Sequence, residues 1–410
     1  MKKHKVIVMV QSPLTTRWAS YFCTDALSDI FDLEYWDCSR IAYPAFAAST
    51  ILERSYVIVI TSMDMLKDNL RRLPKDSLLL SDIHFNHQNF SFHKLVGKYI
   101  SNCICLDMWC YSLGMLPLEN VSDESIITRC SHIKNIFYKS DILRLLIKFI
   151  RYHGDAHFRY QLQLYKQKQS IRKEENDVKK CKRCYKYTFD ITTKPFRKYS
   201  IHHPDAEKYL QLKDSIPHRK DRYIVYLDQY FPLHPDLDEL EPEVNHSTLA
   251  PEFFNSLNNF FTEVEHHMNC RVVIAAHPVA DYNKNPFGGR EVVYYKTAEL
   301  VKDSIGVCLH HTASANFIAL FDKPFLLLDC DATYKSPRFT SNMQHFANVL
   351  GAPIHNMDMR FDEFETLFKK IEPLRRSYFL NNFIDYSITK TNKELIPLHL
   401  KSIYNNIIKH

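Results

Sequence analysis

Two short stretches of this chain gather side chains that bind anions and move protons. His277-Pro278 closes the apolar run Val272–Ala276; His310, His311, Thr312 and Ser314 follow Val307–Leu309 and lead into the helical run Ala315–Phe321. An imidazole can donate to a phosphate or a ribose through either ring nitrogen, or it can simply finish a strand. The proline fixes φ and removes a donor, so the chain leaves the strand sharply. Two hydroxyls with free amides at one helix N-terminus make an anion site that needs no glycine. Arg290, after Gly288-Gly289, could clamp a phosphate or form a surface ion pair. Thr297 and Glu299 lie in KTAELV. A cap and a first-turn acid account for both structurally, and Glu299 could also accept from a ribose diol. Asp228 ends YIVYLD, where a carboxylate can act as a general base or cap a loop. Asp236, farther along that loop, is a weaker candidate.

These residues need strands and helices to hold them. Tyr223–Leu227, 271–276, 306–309 and 324–329 read as buried parallel strands, because they are short and apolar throughout. The segments Pro251–Met268, Thr297–Lys302 and 314–321 read as helices, and Glu291–Tyr295 as a short strand. Ligands of open α/β sheets bind beyond the carboxyl ends of strands, which is where the polar residues stand. An earlier series has the same character: KVIVMV at 5–10, Leu33–Trp36, Tyr56–Ile60, Ser77–Leu80 and Cys103–Leu106, with an amphipathic helix over Trp18–Ile30 and an apolar helix over Tyr138–Tyr152. Gln11, Ser12, Thr15, Thr16 and Arg17 fill its first strand-end loop. Alternation of strand and helix predicts Rossmann-like units with parallel sheets. Pro204–Leu212 reads as a short capped helix, and the chain from about Phe361 as helical.

The 410 residues exceed one ordinary core and predict two domains. The boundaries expected are 1–205, a linker at 206–220, 221–385, and a helical tail at 386–410. A hydrophobic content of 45% with 24% charged residues describes a globular chain. Seven glycines, with no G-x-G-x-x-G and no Walker sequence, exclude glycine-rich phosphate loops. The net charge of +6 is too small to argue nucleic acid. Eleven scattered cysteines fit a reducing compartment. Cys181-x-x-Cys184 lacks the second pair that a zinc site needs, so no metal site is expected. No apolar run reaches the ~20 residues of a spanning helix, and the apolar start is too short for a signal peptide. A cytoplasmic protein is expected. Residues Lys166–Lys198 are rich in Lys and Arg, which reads as a solvated face or as a peripheral contact with anionic lipid at the inner membrane face.

Two Rossmann-like units, no glycine loop, and an HP element followed by a Ser/Thr element resemble a GT-B glycosyltransferase. The HP and Ser/Thr motifs, here His277-Pro278 and Thr312 with Ser314, are similar to those of bacterial sialyltransferases and related CMP-sugar enzymes. The stretch from YLDQYFPLHPD through AAHP, GGR, KTAELV and HHTASANFIALFDKPFLLL, about residues 221–330, resembles glycosyltransferases of bacterial surface-polysaccharide clusters. An Asp-Asp-Gly type base motif, which some sialyltransferases carry, is not present. The resemblance implies an α/β fold of two Rossmann-like domains facing across a cleft, with C-terminal helices packing back on the first domain. It implies a metal-independent transferase without a cofactor. The enzyme would move a sugar from a nucleotide-sugar donor, held by the second domain, to a glycan or lipid-linked glycan acceptor of O-antigen or capsule type, held by the first. The resemblance implies that His277, Pro278, Thr312 and Ser314 bind the nucleotide and its phosphate; the reading of the residues adds Arg290, Thr297, Glu299 and His311 to that site and offers Asp228 as the catalytic residue. A nucleotide-sugar epimerase and a non-catalytic nucleotide-binding partner in a polysaccharide assembly are the alternatives.

Overall fold

The computed structural model describes residues 3–42, 52–107, 172–173, 175–192, 199–235, 237, 241, 243–282, 284–361, 363–384 and 396–409. The expected helix at Tyr138–Tyr152, part of the basic stretch, and Asp236 lie outside them.

The first sheet joins β1 (Lys5–Val10), β2 (Asp32–Asp37), β3 (Val57–Val59), β4 (Leu78–Ser81), β5 (Asn102–Asp107), β6 (Tyr187–Thr192) and β7 (Tyr199–Ser200) in the order β3-β2-β1-β4-β5-β6-β7. Every pairing is parallel. Strands covered on both faces must be apolar throughout, and Val6 to Val10 are all fully buried. The helix expected over Trp18–Ile30 is divided. Cys23 sits at φ 50, in the left-handed region, and separates α1 (Thr16–Phe22) from α2 (Thr24–Ile30). Further described helices of this part are α3 (Ser39–Ala42), α4 (Met63–Arg71) and α5 (Phe90–Val96), and residues 172–173 and 175–182 are helical as well.

The second sheet joins β8 (Tyr223–Leu227), β9 (Arg271–Ala275), β10 (Val292–Val293), β11 (Gly306–Leu309), β12 (Phe325–Asp329) and β13 (Ile354–Asn356) in the order β10-β9-β8-β11-β12-β13, again all parallel. Its helices are α6 (Pro204–Leu212), α7 (Ala250–Met268), α8 (Thr297–Asp303), α9 (Asn316–Phe321), α10 (Pro337–Leu350), α11 (Phe364–Leu367) and α12 (Pro373–Phe383). Helix α7 presents Phe253, Leu257, Phe260, Phe261 and Val264 to the sheet at helical spacing. It ends at Asn269, which takes the left-handed conformation that closes a helix. Helix α6 precedes β8 but belongs to this core: Ala206 and Leu212 pack with the residues of β8.

The chain therefore folds as two Rossmann-like α/β units. The last helix, α13 (Ile396–Ile408), returns to the first one: Ile396, Leu400, Ile403, Tyr404 and Ile407 are buried with Val6, Val8, Leu33 and Leu80. Each such side chain contributes about 1.5–3 kcal/mol on burial. Helix α12 stays with the second unit, through Phe379, Leu380 and Phe383. Between the units the His203 N–H donates to the Ile384 carbonyl at 2.7 Å, joining the two places where the chain changes domain.

The basic stretch is not one exposed segment. It contains β6, and Cys181, Tyr185 and Ile191 within it are buried. No helix among the described residues is long and apolar enough to cross a membrane.

Candidate functional site

Register builds the site. Leu227 of β8 is level with Ala275 of β9 on one side and Leu309 of β11 on the other, and Leu309 is level with Leu327 of β12. The next residues, Asp228, Ala276, His310 and Leu328, form a row at the carboxyl edge. The chain leaves β8 toward β9 and β10 on one side and returns at β11 on the other. A crevice at such a switch point is where doubly wound sheets bind ligands.

Asp228 stands at the centre of this row and is buried. Its Oδ1 accepts from the Tyr230 N–H at 2.9 Å. Its Oδ2 accepts from the His277 N–H at 3.1 Å and the Tyr282 hydroxyl at 2.8 Å. Burial pushes its carboxyl above the ordinary value, and these donors partly offset the shift. Each oxygen thus already has a donor. The carboxylate ties the loop after β8 to the loop after β9 and so fixes where His277-Pro278 leaves the sheet. The His277 ring lies 5.1 Å from that of His234.

On the other side of β8, the His310 Nδ1 bonds the Leu328 carbonyl at 2.6 Å and locks the end of β11 to β12. The ring is enclosed by Tyr226, Phe253 and Phe339. Burial pulls its pKa down to about 4 and that of His311 to about 3. Both are neutral at pH 7, so they offer hydrogen bonds rather than charge to an anion. The His311 Nδ1 is buried without a hydrogen-bond partner. Thr312 caps the turn Ala313–Ala315 by accepting from the Ser314 N–H at 3.3 Å, and α9 continues from there.

The remaining candidates divide. Glu299, in the first turn of α8, pairs with Lys208 of α6 at 2.8 Å through Oε1, while its Oε2 is buried and unpartnered. Thr297 is not the helix cap. Lys296 holds that position, and Thr297 is the first residue of α8. Arg290 is not brought to the row. Its guanidinium turns to α7 and donates to Glu265 at 2.8 Å and to Asn258 and Thr262 at 3.0 Å, over the ring of Phe261. Gly288, at φ 63, allows this approach, since a Cβ there would meet the Arg290 Nη1 at 3.0 Å. Asp228, His277 and Pro278 therefore share one strand end and its neighbour. His311, Thr312 and Ser314 follow the next strand, and Glu299 with Thr297 open the helix that leads into it.

Sequence reasoning missed Tyr282, Lys208 and Asp329. The last ends β12 as Asp228 ends β8, a repeated carboxylate that pattern alone could have flagged. Asp329 is buried, and its pKa is pushed up to about 6, chiefly by burial. A carboxyl whose folded pKa exceeds its unfolded value of about 3.9 contributes stability below pH 4, and that contribution is lost as pH rises through 6. Asp329→Asn is expected to stabilise the protein by about 2 kcal/mol at pH 8, and to flatten the change between pH 4 and 6. Urea unfolding at several pH values checks this; parallel wild-type and variant curves would refute it. In the first unit the corresponding crevice lies between β1 and β4. There the Gln11 side chain bonds His84 twice, its amide nitrogen to the ring at 3.1 Å and its Oε1 accepting from the His84 N–H at 3.3 Å. Thr15 caps the start of α1 through the Trp18 N–H.

No family model matches the chain, and no curated protein sequence matches it. Among solved structures, the chain is similar to the spinosyn forosaminyltransferase SpnP, with 9% identity, 99% of this chain and 100% of that one covered, and a TM-score of 0.43. It is also similar to Arabidopsis thaliana UGT89C1, with 11% identity, 98% and 94% covered, and a TM-score of 0.39. A third is the E. coli heptosyltransferase WaaC with ADP, with 11% identity, 80% and 88% covered, and a TM-score of 0.31.

Proposed function

We propose that the chain is a GT-B type glycosyltransferase that takes a sugar from a nucleotide-sugar and passes it to a growing surface polysaccharide or lipid-linked glycan. One observation carries this reading. Beyond the strand ends of the second sheet and in the helix that leads into β11, several buried polar atoms have no partner among the described residues, among them Gln229 Oε1, Glu299 Oε2, His310 Nε2 and His311 Nδ1. Buried polar groups are almost always satisfied, so a ligand with hydroxyls and an anionic group fits them. Glu299 accepts from the ribose diol. His277, His311, Thr312 and Ser314 surround the phosphate, and the hydroxyls meet the negative charge that builds on it as the sugar departs. In this reading Asp228, which the sequence offers as the base, positions the HP loop instead. The acceptor hydroxyl is deprotonated from the first unit, whose crevice carries His84. The basic residues of Lys166–Lys198 give that unit an attraction to anionic lipid.

A thermal-shift screen against nucleotides and nucleotide-sugars tests the reading, since a ligand of the folded state raises Tm by mass action. A shift with one nucleotide class is expected; no shift with any member would refute it. Turnover should survive EDTA, because hydroxyls and imidazoles serve the phosphate here. Activity abolished by EDTA and restored by Mg²⁺ or Mn²⁺ would assign that work to a metal.

A further inference from the structure

Two tyrosines at the carboxyl edge of the second sheet adopt a backbone that bulky residues avoid. Tyr230 and Tyr295 both lie at φ 60. For a non-glycine residue of this size that conformation is a genuine outlier, and it persists where surrounding structure enforces it, commonly at ligand sites. Both hydroxyls reach the same loop, the one that follows β9. Tyr230 donates to the Asp281 carbonyl at 3.3 Å and Tyr295 to the Pro278 carbonyl at 3.2 Å. The two differ in exposure. Tyr230 packs its ring against His234 and Tyr282, at 6.2 and 5.3 Å. Tyr295 is 60% exposed. A large aromatic ring is thus presented to solvent while its far end is tethered, which spares it the loss of freedom that a mobile side chain suffers on binding.

Its place in the chain is specific. Tyr295 stands two residues beyond β10 and two before Thr297, and it bridges to the HP element through its hydroxyl. One flank is therefore the proposed phosphate side, at His277-Pro278. The other is the proposed ribose side, at Glu299.

We infer that Tyr295 is the platform on which the base of the nucleotide-sugar stacks. The inference rests on the function proposed above and adds a residue that senses the base. Stacking tolerates any base, because each has a π-face, so Tyr295 sets affinity for nucleotides over base-free sugar phosphates rather than choosing among bases.

The test titrates the full chain with cytidine, uridine, guanosine and adenosine mono- and diphosphates, and with ribose 5-phosphate as a base-free probe, using wild type, Tyr295→Phe and Tyr295→Ala. The phenylalanine variant keeps the ring and loses the tether; it should bind nucleotide within about threefold of wild type. The alanine variant should bind nucleotide about tenfold or more weakly, with ribose 5-phosphate affinity unchanged. Equal loss for nucleotide and ribose 5-phosphate would make Tyr295 a clasp for the loop and overturn the platform. Unchanged nucleotide affinity in the alanine variant would overturn it while leaving the proposed function standing. A wild type that binds no nucleotide would overturn the function, and the platform with it.

Discussion

Asp228→Ala is expected to destabilise the protein by about 3–5 kcal/mol. The substitution leaves the N–H groups of Tyr230 and His277 and the hydroxyl of Tyr282 without their acceptor, and an orphaned buried donor costs about 1–3 kcal/mol. Asp228→Asn keeps one carbonyl oxygen but sets an NH₂ group against donors, so a smaller loss of about 1–3 kcal/mol follows. The order of the two variants separates positioning from proton transfer. A carboxylate that only positions should yield an asparagine enzyme with reduced activity and an unshifted pH profile. A general base should yield one that is folded, inactive, and missing the acid limb of its profile. Urea unfolding with pH–rate measurements on both variants decides between them.

The second large effect concerns Arg290. Its side chain is 10% exposed and ion-paired with Glu265, and it donates further hydrogen bonds to Asn258 Oδ1 and Thr262 Oγ1. Arg290→Ala is expected to cost about 2–4 kcal/mol, somewhat below the ~3–5 typical when a fully buried pair is broken, because Glu265 keeps partial access to water. Affinity of the folded variant for nucleotide should be unchanged. Arg290→Lys should recover only part of the loss, since an ammonium cannot supply the planar fork. Loss of nucleotide affinity without loss of stability would return Arg290 to the phosphate.

The strands that carry the site were legible because burial on both faces leaves only apolar residues. YIVYL at 223–227 is buried at every position, and GVCL and the FLLL of β12 follow the same rule. Where that rule weakens, legibility ends. YTFDIT of β6 is exposed at its start, at Tyr187, and buried only at Ile191, and it lies in a basic run that reads as surface. IHN of β13 is too short to signal. The break at Cys23 depends on a single left-handed residue that no residue type announces. At the site, position along the chain was readable and partnership was not. Asp228 could be placed at a strand end, but the Tyr282 hydroxyl that engages it comes from a different loop. Glu299 could be placed in a first helical turn, but Lys208, from α6 before the first strand of that sheet, was not foreseeable. The pair Gly288-Gly289 suggested an arginine freed toward a ligand; the glycine instead admits the guanidinium to α7.

The most direct test of the account is isothermal titration of the nucleotide found by thermal shift into wild type, His277→Ala and Ser314→Ala. Each hydrogen bond to a charged phosphate contributes about 1.5–3 kcal/mol, so each variant should bind roughly ten- to a hundredfold more weakly at unchanged Tm. Wild-type affinity in both variants would contradict a phosphate site between the ends of β9 and β11.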